Sequence, residues 1–152
     1  MINKILLIFF ITFFSTSCGF QPVYKSKNIN IAIDNIEKEN TPINNEIASA
    51  LKNIYSESNS TTKINLKIDS NKSLVIKSKD KKGNPSIYEI QLYVNLIVFI
   101  NEQKTINKSF IEKTSFNNDN DKFKLSQYQK ELEKILTKKL IENIVNFLSN
   151  VS

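Results

Sequence analysis

Cys18 carries the only thiol in a chain of 152 residues that has no histidine and no tryptophan. All 21 basic side chains are lysine, and no arginine occurs. These absences remove most zinc sites, thiol–imidazole catalysis and the Ser-His-Asp arrangement together. Two glycines cannot build a Gly-rich phosphate loop. The 15 carboxylates are scattered along the chain without a visible acid–base or nucleophile–base pair. The composition therefore predicts a protein that is not an enzyme and that needs no cofactor and no metal. What remains is chemistry done to the chain, and it centres on Cys18.

Met1 to Lys4 forms a short, positively charged start, and Ile5 to Phe14 is an apolar run broken only by Thr12. A spanning helix needs about 20 apolar residues, so this run is too short for an ordinary membrane anchor. Ser15, Thr16 and Ser17 then place small residues directly before Cys18. Residues 1–17 read as a secretory signal peptide, in the bacterial lipoprotein variant whose cysteine is acylated. Ser15 stands where such cleavage sites usually carry Leu. The other reading is an ordinary signal peptide that happens to contain a cysteine, which leaves a solitary thiol in an oxidising compartment. Acylation explains that solitude, and makes residues 18–27 a lipidated tether. A single acyl chain anchors only marginally, whereas two or more signals hold a protein at a membrane. Gly19 follows the cysteine in place of the Asp that usually retains such proteins at the inner membrane. The expected location is the periplasmic side of the outer membrane.

Cleavage before Cys18 removes only Lys4 among the charges, leaving 20 lysines against 15 acids, a net of +5. Residues 28–152 are of a length that suits one domain. Ile29, Ile31 and Ile33 alternate with Asn30 and Ala32, which predicts a short strand. Thr41-Pro42 is a helix start, because Thr can cap free amides and Pro is tolerated at the first position. Ile43, Ile47, Leu51 and Ile54 or Tyr55 then recur at helical spacing over 42–56. After a Ser/Asn/Thr cluster, Ile64, Leu66, Ile68, Leu74 and Ile76 share even parity, predicting a long strand with one buried face and an interruption near Ser70–Lys72. Gly83-Asn84-Pro85 is a turn signal. The clearest alternation runs from Tyr88 to Ile100, with Glu89, Gln91, Tyr93 and Asn95 facing outward. Ile106 to Phe116 reads as a further strand of weaker alternation. An Asn- and Asp-rich loop, residues 117–121, then offers a helix cap. Leu125, Tyr128, Leu132, Ile135 or Leu136, Leu140, Ile144 and Phe147 or Leu148 mark a final helix of about seven turns. The order β-α-β-β-β-α predicts an α+β two-layer sandwich, both helices on one face of a mainly antiparallel four-stranded sheet.

The segment Cys18-Gly19-Phe20-Gln21-Pro22-Val23-Tyr24 resembles the mature start, C-G-F-x-P-x-Y, of the lipopolysaccharide-assembly lipoprotein family LptE (RlpB-like) in its alphaproteobacterial form. The resemblance continues through Tyr88-Glu89-Ile90 and through Ser115-Phe116-Asn117 before the long helix. It covers most of the chain in element order; the heptapeptide is distinctive and the remainder is pattern. Gly19, Phe20, Pro22 and Tyr24 match the family's motif. The resemblance implies a small α/β lipoprotein seated in the outer-membrane β-barrel LptD, assisting barrel assembly and lipopolysaccharide delivery to the cell surface.

Three groups of residues are candidates for contact. Phe20 and Tyr24 place aromatic rings near the acyl chains, at headgroup depth, or else pack the tether onto the domain. Lys77, Lys79, Lys81 and Lys82 crowd the turn before Gly83, opposed only by Asp80. They could meet lipid phosphates or an acidic partner rim as point charges, or stay solvated. Ile, Asn and Lys make up 65 of the 152 residues, a skew that dilutes the meaning of any one lysine. Lys130, Lys134 and Lys138 form a second stripe beside Glu131 and Glu133 and read as a solvated face. Tyr93, Ile97 and Phe99 lie on the outward sheet face, either as a contact surface for a barrel wall or beneath the protein's own loops. Despite a pI of about 9.3, export and the absence of a recognised module argue against nucleic acid. The competing functional class is an unrelated periplasmic lipoprotein that binds a small ligand or peptidoglycan.

Overall fold

A computed structural model describes residues 31–55, 62–101 and 104–151. The elements are β1 (Ile31–Lys38), α1 (Pro42–Tyr55), β2 (Thr62–Lys79), β3 (Pro85–Ile100), β4 (Lys104–Asn117) and α2 (Lys122–Leu148). The sheet order is β1-β2-β3-β4. β1 and β2 run parallel around α1, while β2–β3 and β3–β4 are antiparallel. The architecture is the α+β sandwich that the apolar pattern predicts. The proposed leader and tether lie outside the described residues, as does Ile29 of the first strand.

Each element starts where its chemistry allows. The Thr41 hydroxyl accepts from the Asn44 backbone N–H at 3.2 Å, and Pro42 opens α1. Asp121 caps α2 by accepting from the N–H groups of Phe123 and Lys124 at 3.0 and 3.1 Å. Both helices press on one sheet face. There, alternate residues of β3 from Ile90 to Val98 are buried, and register sets Leu66 against Val98, Ile68 against Leu96 and Val94 against Phe110. Leu136, Leu140, Ile144 and Leu148 of α2 close that core. The helices meet where the buried Tyr55 hydroxyl donates to the Val145 carbonyl at 3.4 Å. At the other end of α2, Phe116 stacks on Tyr88 at 5.7 Å and meets Tyr128 edge-on at 6.1 Å.

Four features depart from the sequence reading. β1 continues to Lys38, because a bulge between Ile33 and Asn35 restores Ile36 to the inner side. β2 is unbroken through Ser70–Lys72, since β3 pairs with it there residue by residue. Leu74 and Ile76 share parity with the buried Ile64, Leu66 and Ile68, yet are 50% and 46% exposed. Helix length explains this: α1 spans about 21 Å and covers β1 and the first part of β2, while α2 lies over β3 and β4. Tyr128, expected on the apolar stripe of α2, is about half exposed, whereas of the alternatives Ile135 and Leu136 it is Leu136 that takes the inward position. No helix among the described residues is long and apolar enough to cross a membrane.

Candidate docking surface

Among the described residues no helix lies on the outer sheet face, and the composition of that face follows from strand parity. In β3, Glu89, Gln91, Tyr93, Asn95, Ile97 and Phe99 point outward. Register places Asn71 and Ile111 on either side of Tyr93, and Lys67 and Asn107 on either side of Ile97. Phe99 lies between Asn65 and Thr105. Tyr93 and Phe99 are exposed and Ile97 is half-buried, so the three predicted residues do share one face. Ile111, 57% exposed and directly opposite Tyr93, extends the patch onto β4. The sequence held a signal for it: Ile111 is out of phase with the inward-facing Ile106, Phe110 and Phe116.

Glu89 keeps the outward side that its parity predicts but is shielded from water there. It is buried, accepts from Gln91 Nε2 at 2.7 Å, and lies 3.5 Å from the Ser115 hydroxyl and 3.3 Å from Lys77 Nζ. The Gln91 hydrogen bond is the main reason its carboxyl sits below the usual range, with Lys77 and Lys113 adding to it against the cost of burial. Lys77 is thereby separated from the other three lysines of its cluster, because its charge is already matched.

The hairpin tip holds Lys79, Lys81 and Lys82, all exposed. Asp80 Oδ1 accepts from the backbone N–H groups of Lys82 and Asn84, both at 2.8 Å. Those bonds, led by the one from Asn84, hold its carboxyl below the usual carboxylate range and commit it to shaping the turn. Gly83, with φ of 85°, takes the left-handed position that closes it. Among the described residues none of Lys79, Lys81 and Lys82 is ion-paired. Lys130, Lys134 and Lys138 are exposed along α2. Cys18, Gly19, Phe20, Pro22 and Tyr24 lie outside the described residues. No group of three or more potential metal ligands occurs among the described residues.

Rare lipoprotein B from Shewanella oneidensis shares this arrangement, with a TM-score of 0.62 at 12% identity over 78% of this chain and 96% of that one. The chain has the rare lipoprotein B fold. A minor lipoprotein from Acinetobacter baumannii matches with a TM-score of 0.59 at 13% identity, over 80% of this chain and 94% of that one. Lipoprotein B from Nitrosomonas europaea matches at 0.52 and 13% identity, covering 80% and 86%. No protein-family model matches the sequence, and no curated protein matches it significantly. At such identities the rare lipoprotein B likeness is one of backbone. The outer-face patch and the lysine tip are properties of this chain's own side chains.

Proposed function

We propose that the chain is a lipid-anchored lipoprotein of the LptE type, held at the periplasmic side of the outer membrane through acylated Cys18. In this reading it is not an enzyme. It seats in an LptD-like β-barrel, assists that barrel's assembly, and helps pass lipopolysaccharide to the surface. The observation that carries the reading is a coincidence of two independent features. One is a leader that ends in small residues at Cys18-Gly19-Phe20. The other is a body that superposes on rare lipoprotein B over 96% of that structure.

The side chains offer two contact surfaces for this role. Tyr93, Ile97, Phe99 and Ile111 form the apolar outer face that a barrel wall would cover. Lys79, Lys81 and Lys82 project from the β2–β3 tip, where lipopolysaccharide phosphates or an acidic rim would meet point charges. With no arginine, bidentate phosphate recognition is not available. The test is extraction of the tagged full chain in mild detergent. Recovery of an outer-membrane barrel in equimolar amount, together with an acylated Cys18 by mass spectrometry, supports the reading. An acylated chain that elutes without a barrel points to a ligand-binding or peptidoglycan-binding lipoprotein.

A further inference from the structure

β1 stops pairing at Lys38, opposite Ile68. Beyond that point β2 continues to Lys79, and among the described residues no strand lies on that side of it. Register shifts flank Ser78, so the regular free edge runs from Asp69 to Ile76. Along it Leu74, Val75 and Ile76 are consecutive and each at least 41% exposed. Native edges of this kind are blunted with charge, bulges or covering elements. Asp69 and Lys72 put charge on its first half and the bulges and Lys77 blunt its far end, while the three apolar residues stay open.

Beside this edge lies a groove of about 260 Å³ between β2 and the first half of α2. Leu74 and Ile90 form its apolar floor; Ser126, Gln129 and Lys130 form its wall. Lys72 bridges to Glu133 at 2.8 Å and closes one end. An added strand would satisfy the open backbone groups and direct every second side chain toward that groove. At the hairpin end it would meet Lys79, Lys81 and Lys82, which have no ion-pair partner among the described residues.

We infer that the Asp69–Ile76 edge of β2 binds an extended peptide segment with alternate apolar side chains and an acidic end, by strand addition. Charge complementarity selects this occupant. A second copy of the chain fits worse. If the two free edges paired antiparallel in matching register, residues 77–83 of each copy's hairpin would lie along residues 62–68 of the other, where β1 already pairs. Parallel pairing would set one lysine tip beside the other.

The probe is a fluorescein-labelled peptide of alternating Val and Thr closed by three Glu, titrated into the purified full chain. Saturable binding is expected, with the version closed by three Lys at least about tenfold weaker, equivalent to ~1.4 kcal/mol. Amide hydrogen exchange should slow at residues 69–76 on binding. Leu74→Glu, a change at a half-exposed site, should weaken binding about tenfold while Leu74→Met retains it. Changing Lys79, Lys81 and Lys82 together to Ala should erase the preference for the Glu-ended peptide without touching the core. Equal affinity for the two peptides, no detectable binding, or protection centred on Tyr93 overturns the inference. So does a concentration-dependent dimer of the chain alone that already protects residues 69–76.

Discussion

Lys77 Nζ lies 3.3 Å from Glu89 Oε2 on the outer sheet face, two residues beyond Val75, the register partner of Glu89. Gln91 and Ser115 complete the surroundings of the carboxylate. A carboxylate buried in this way is supported as an anion, so its folded titration falls below the ordinary glutamate value of about 4.3. The sign follows: the stabilisation is fully present above that ordinary value and is lost as pH falls through the folded one. Glu89→Gln should therefore be less stable than the parent chain at neutral pH, and the gap should narrow near pH 3. Urea unfolding at the two pH values measures this; a gap independent of pH would show that the charge of Glu89 contributes nothing.

That pair also marks where the sequence stopped being informative. Period-two patterning from Tyr88 to Ile100 identified the strand and both of its faces, and the Thr41 and Asp121 caps were legible because each satisfies free amides locally. Glu89 looked like any outward polar residue. Its burial depends on Lys77 and Ser115 from the two neighbouring strands, which only the register brings together. The exposure of Leu74 and Ile76 was illegible for a related reason. Parity says which face a residue takes, while the reach of α1 and α2 decides whether that face is covered. Among the candidate contacts, Tyr93, Ile97 and Phe99 were visible from parity; parity also turns Ile111 outward, but only its pairing with Tyr93 joins it to their patch.

The contrast within β2 can be measured directly. Leu66 is 1% exposed and Leu74 is 50% exposed, on the same strand and with the same parity. Leu66→Ala should cost about 2–5 kcal/mol, the range for emptying a packed site. Leu74→Ala should cost less than about 1 kcal/mol. Chemical denaturation of both variants checks the pair, and similar losses would place Leu74 in the core.

Asp121 supplies two cap hydrogen bonds to α2, the longer of the two helices among the described residues, whose second half carries much of the core. Asp121→Ala should destabilise the protein by about 1 kcal/mol, and Asp121→Asn by less, because amide oxygen caps nearly as well. Thermal unfolding should rank the three chains in that order. A loss for Asn equal to that for Ala would assign the effect to charge near the helix start.

Cys18→Ser removes the thiol that acylation requires. Detergent partitioning should find the parent chain in the membrane fraction and the variant released from it when no barrel is present, with the folded body unchanged by circular dichroism. Retention of the serine variant without a barrel would mean that another segment holds the protein at the membrane. Mass spectrometry of the parent N-terminus completes the test, since an unmodified thiol or an intact leader on the functional chain contradicts the anchoring reading.

Tyr93 and Ile111 face each other across β3 and β4, and among the described residues no helix lies above them. A cross-strand pair of this type contributes about 0.2–1 kcal/mol to folding, much less than a core residue. Replacing both with Ser should therefore leave the unfolding midpoint within a few degrees of the parent. If the outer face docks on a barrel, the same double variant should lose most barrel recovery in mild detergent, because apolar area at an interface centre weighs far more than it does against water. The useful comparison is the variant with Lys79, Lys81 and Lys82 changed to Ala, which leaves the apolar face intact. Barrel recovery that survives in the Tyr93/Ile111 variant and fails in the lysine variant would move the docking site from the sheet face to the hairpin tip.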